Sequence, residues 1–136
     1  MFLPTPDNIL IIRNERYHVL AHPDAPTMAY GQAGKKATVY QLRRETPGAT
    51  DNKLLALKHF ILKYRSAHLE NIARQLKPFA SLPGLSACLH QVLTPALDTA
   101  LLKKYPDLTY SVLMPWIQGT TWLSFLDFDF PLPDFP

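Results

Sequence analysis

Thirteen of the 136 residues are proline, and their placement restricts the fold more than any other feature of the chain. They gather at Pro4 and Pro6, at Pro23 and Pro26, and in the closing run "FPLPDFP". Proline locks its own φ, removes a backbone donor and pushes the preceding residue toward extended conformations. Both ends should therefore be extended or irregular, with regular structure confined to about residues 8–126.

Within those bounds the pattern is mostly that of strands. "NILIIRNERYHVLA" reads as two β-prone runs around the turn Arg13-Asn14-Glu15, a hairpin. "TMAYGQ" and "ATVYQLRR" read as two more strands, joined by the loop from Gly31 to Lys36. "ETPGATDN" is dense in turn formers and reads as an exposed connection. "KLLALKHF" is apolar on both faces, which suits a central strand. From Ser66 to Lys77, the recurrence of Leu69, Ile72, Ala73 and Leu76 predicts one helix with a buried face, ended by Pro78 and "LPG". "CLHQVLTP" and "LTYSVLMPWI" complete the set as strands. Strands, one helix and two further strands, connected most simply, give an α+β domain with an antiparallel sheet.

Composition narrows the function classes. An apolar share of 47% with 18% charged residues describes a globular chain long enough for one modest core. The net charge of +3 is spread along the sequence, so a solvated surface is expected and no nucleic-acid partner. Cys88 is alone, which removes an internal disulfide and a cysteine-rich zinc site, and the five histidines form no paired-ligand pattern on a helix, so no metal is expected. The apolar runs are too short to span a bilayer and no secretory signal opens the chain, so a cytoplasmic protein without membrane contact is expected.

Two features carry chemistry. The stretch "YGQAGKKATVYQLR" suits either a loop that lets a phosphate approach its backbone, with Lys35 and Lys36 as cations, or a plain hairpin turn with basic side chains. Lys58, in "LALKHF", is a cation among apolar strand neighbours; it needs a buried partner or must snorkel to solvent.

Taken in order, the glycine loop ending in Val39-Tyr40, "LALKHF" with Lys58, a helix containing Glu70 and "YSVLMPWIQGTTWL" resemble the N-terminal, ATP-binding lobe of a bacterial eukaryotic-like Ser/Thr protein kinase. The resemblance covers about residues 27–126, leaving residues 1–26 as an extension with a hairpin and 127–136 as a Pro/Phe-rich tail. It implies an antiparallel sheet of about five strands with one main helix. It also implies ATP, with Mg, as ligand. Gly34 matches the central glycine of the family's loop, Gln32 and Ala37 stand where the flanking glycines would be, and Gly31 lies one position early. Val39 would cover adenine, Lys58 would contact phosphate and pair with Glu70, and Met114 would be the gatekeeper. The Pro115 carbonyl and the Ile117 N–H would bond the adenine edge.

The sequence departs from the family in other ways. Arg74 stands four residues after Glu70, where an apolar residue is usual. No "HRD" or "DFG" occurs, so no catalytic residue is expected in these 136 residues. The resemblance therefore implies nucleotide binding without phosphate transfer, or alternatively a pseudokinase-like regulatory or interaction module. A basic α+β interaction domain outside the family is the remaining reading. The apolar residues of 122–135 suggest a homodimer or another protein partner, or else a tail folded back over the adenine cleft.

Overall fold

The structure is a computed structural model that describes residues 1–48 and 53–119. β1 (Ile9–Ile12) and β2 (Glu15–Val19) form the expected hairpin. Arg13 and Asn14 between them take φ of 51° and 67°, the two positive values that a tight two-residue turn requires. The hairpin does not stand apart. β2 pairs with β6 (Ala37–Glu45), with Val19 opposite Leu42 and Tyr17 opposite Arg44, so the segment preceding the glycine loop supplies two strands of the main sheet.

β3 (Ala21–His22) and β4 (Ala25–Ala29) make a separate small ribbon, and β5 (Gly31–Ala33) folds back on β6. β7 (Leu54–Phe60) lies between β6 and β9 (Val112–Pro115), the central place its two apolar faces required. β8 (Gln91–Val92) closes the far edge. The order is β1-β2-β6-β7-β9-β8 with β5 also on β6, giving seven strands, every pairing antiparallel. The α+β class stands, but the sheet is larger than five strands because the hairpin joins it.

Among the described residues, two α-helices flank the sheet where one was expected. α1 (His68–Leu76) matches the sequence reading within two residues at each end, whereas α2 (Thr99–Lys104) was missed. Six residues are too few to display helical periodicity, although Leu101 and Leu102 of α2 are buried. The expected buried face of α1 also needs correction. None of its residues is fully buried; Leu69 and Ala73 pack on Ala37, Phe60, Val92 and Val112, while Ile72 remains 36% exposed.

The main core lies on the opposite side of the sheet. Leu10, Ile12, Val19, Leu42 and Leu57 are almost completely buried there, covered by Phe2, Leu93, Leu108 and the apolar residues of α2. Arg13 of the hairpin turn is tied to this layer: its guanidinium donates to both Asp98 oxygens at 3.2 and 3.1 Å and to the Val92 carbonyl at 2.8 Å. Asp98 is buried and also accepts the Thr94 N–H at 2.9 Å. No helix among the described residues is long and apolar enough to cross a membrane. Trp122 and the tail after it lie outside the described residues.

Candidate functional site

Strand register decides which side chains can meet. Directly opposed residues share a sheet face, and successive residues alternate. Gln32 opposes Val39, Val39 opposes Lys58, and Lys58 opposes Val112, so these four share the face on which α1 sits. The next row on that face is Gln41, Ala56 and Met114. From the row of Met114 to the row of Lys58 is two residues along β7, about 7 Å. Beyond Lys58 come Ala37 and Phe60, and then the loop Gly34–Lys36. One face thus runs from the segment expected to hold a base, through Lys58, to the glycine loop.

Part of this row is an open cavity. Gln32, Ala33, Gly34, Lys35, Lys36, Ala37, Val39 and Lys58 line a space of about 460 Å³. Three lysines line it and, among the described residues, no carboxylate does. At the tip, the Gly34 N–H donates to the Ala37 carbonyl at 2.8 Å and the Lys36 carbonyl accepts from Ile61 at 3.0 Å. Neither bond uses the N–H of Lys35 or Lys36, and both residues are exposed. Lys36 also rests over the Tyr64 ring at 5.2 Å, and Lys58 over the Phe60 ring at 5.2 Å. Aromatic faces hold the two cations without neutralising them.

The two glycines of the stretch differ. Gly34 has room for a side chain, since an added Cβ would meet only the Ala37 oxygen at 3.5 Å. Gly31 lies in β5 opposite Tyr40, and a Cβ there would stand 2.7 Å from the Tyr40 ring. Gly31 is needed for packing and does not line the cavity.

Other expected residues lie elsewhere. Glu70 lines a second cavity of about 330 Å³ with Arg13, Arg74, Lys77 and His90, and it forms no ion pair with Lys58 among the described residues. Met114 and Pro115 line a small space of about 170 Å³ with Tyr17, Arg44 and Leu89, separate from the lysine cavity. Ala56 and Gln41, in the same row as Met114, are only 5% and 9% exposed. The Trp116 N–H is taken by the Leu54 carbonyl at 3.2 Å, and Ile117 is exposed beyond it. The loop and Lys58 therefore share a cavity that the segment expected to hold a base does not line.

Sequence reasoning did not single out His90. Burial holds its pKa below the usual histidine value against a backbone bond at Ala87, and the Lys58 charge adds to the lowering. His90 thus stands between the field of Lys58 and the cavity of Glu70. Only the strand order reveals this, because β8 reaches β7 through β9. Among the described residues, no group of three or more His, Cys, Asp and Glu is placed to hold a metal ion. Comparison with protein-family models, with curated proteins and with solved structures returned no match.

Proposed function

We propose that this chain is a nucleotide-binding module of the protein-kinase N-lobe type, which holds the phosphates of ATP or ADP in the Lys35–Lys36–Lys58 cavity. The observation that carries the reading is the convergence of Lys58, Val39 and the glycine loop on one cavity, with Met114 farther along the same face. Among the described residues, those lining the cavity include no carboxylate, hydroxyl or imidazole that could take a proton from an acceptor. Binding, rather than phosphoryl transfer, is the role assigned to them. The separation of Lys58 from Glu70 favours the pseudokinase-like variant of this reading, a regulatory module that responds to nucleotide.

Calorimetric titration of ATP into the wild type and Lys58→Met tests it. Loss of a charge-assisted contact should weaken binding by about 1.5–3 kcal/mol, roughly ten- to a hundredfold. Equal affinities would remove Lys58 from the site, and no heat with the wild type would end the nucleotide reading. A parallel titration with inorganic tripolyphosphate asks whether the base is held. Affinity as tight as that for ATP would leave a polyphosphate site and no nucleoside contact.

A further inference from the structure

Three lysines lining one cavity pose a question of charge balance. A kinase-type lobe is expected to meet its nucleotide as the magnesium complex, and magnesium needs oxygen ligands in near-octahedral array. Among the described residues, several carboxylates are committed elsewhere. Glu15 pairs with Arg44, Glu45 with Arg16 and His18, and Asp98 with Arg13. Asp107 accepts the Phe2 N–H and neighbours His59 on the opposite sheet face, and Glu70 lines the other cavity. Among the described residues, the charged side chains lining the cavity are those of Lys35, Lys36 and Lys58, the first two on an exposed loop tip.

We infer that the form of ligand this cavity takes is the metal-free polyphosphate chain, in preference to its magnesium complex. The inference rests on the nucleotide reading above and specifies its ligand. Free ATP carries about four negative charges at neutral pH and its magnesium complex about two, so complexation removes charge that the lysines would otherwise balance. In a second way the metal competes directly with the lysines, because it occupies the same phosphate oxygens.

The test is ATP titration of the full chain in chelator and in excess magnesium, at matched ionic strength because exposed cations are screened by salt. The wild type is compared with Lys35→Ala/Lys36→Ala, both melted beforehand to establish that they are folded. The expected result is binding about fivefold or more tighter in chelator, with the difference narrowed in the double variant. Equal or tighter binding with magnesium overturns the inference and leaves the nucleotide reading standing. A chelator preference unchanged in the double variant also overturns it, since the anion then sits away from the loop. Absence of ATP binding in both conditions removes the nucleotide reading itself.

Discussion

Gly31 and Gly34 stand three positions apart in one hairpin, and only one has its size dictated by the fold. Gly31→Ala would drive a methyl against the Tyr40 ring, which cannot easily retreat because Phe2 packs edge-on to it at 5.7 Å. Overpacking of this kind should cost about 1–3 kcal/mol. Gly34→Ala meets ordinary contact distance and should change stability by less than about 1 kcal/mol. Urea denaturation of the two variants checks the pair, and equal losses would contradict the assigned roles. Asp98 is a second residue whose environment sets its value. Its carboxylate is fully covered and bound by Arg13 and Thr94, so Asp98→Ala should destabilise by about 2–4 kcal/mol. A loss below about 1 kcal/mol by the same measurement would mean that the tie between the hairpin turn and the segment before α2 does not hold the core.

At the scale of elements, what could be read from sequence depended on how local the signal was. The β1–β2 turn, the centrality of β7 and the extent of α1 each follow from a short pattern: turn residues, a two-faced apolar run, a period near 3.6. α2 is six residues long, too short for a period, and β8 is two residues set by pairing with β9. The site divided in the same way. Val39, Lys58 and the loop meet because adjacent strands bring them together, whereas the Lys58–Glu70 pair required a helix orientation that periodicity does not fix. Leu69 and Ala73 turn inward instead of the wider stripe. Leu76→Ala, at a half-buried position, should therefore cost less than about 1.5 kcal/mol, while Leu57→Ala in the central strand should cost about 2–5 kcal/mol. Thermal or chemical denaturation giving the reverse order would show that α1 packs through its expected face after all.

For the whole molecule, the response to acid follows from a polar knot beneath the N-terminal segment. Phe2 lies edge-on to Tyr40, His59 and Tyr105, and its N–H donates to Asp107 at 2.6 Å. The knot thereby joins the first residues, β6, β7 and the turn at Pro106–Leu108. Burial lowers the His59 pKa below 6.5, with Arg65 adding to the effect and Asp107 opposing it. His90 is lowered chiefly by burial as well. Both rings therefore stay neutral in the fold at pH values where the unfolded chain takes up a proton. Their contribution is complete above about 6.5 and declines as pH falls toward the depressed folded values, by at most about 1.4 kcal/mol per pH unit for each ring. Asp107 acts lower on the scale. Burial would raise it, but the Phe2 N–H, its own N–H and the His59 charge outweigh burial and hold it below 3.8. Its contribution is present above that value and is lost as pH falls through the folded pKa. The two effects have the same sign, so melting temperature should fall steadily on acidification from about pH 7 to about pH 3. His59→Gln keeps a donor for the Asp107 carbonyl but cannot charge; it should flatten the upper part of that profile and, by removing one of the charges that hold Asp107 down, weaken the lower part to a lesser degree. Asp107→Asn should reduce the lower part. A His59→Gln profile parallel to that of the wild type would show that the Asp107 attraction cancels burial, and a steeper fall in the variant would show that the attraction outweighs it.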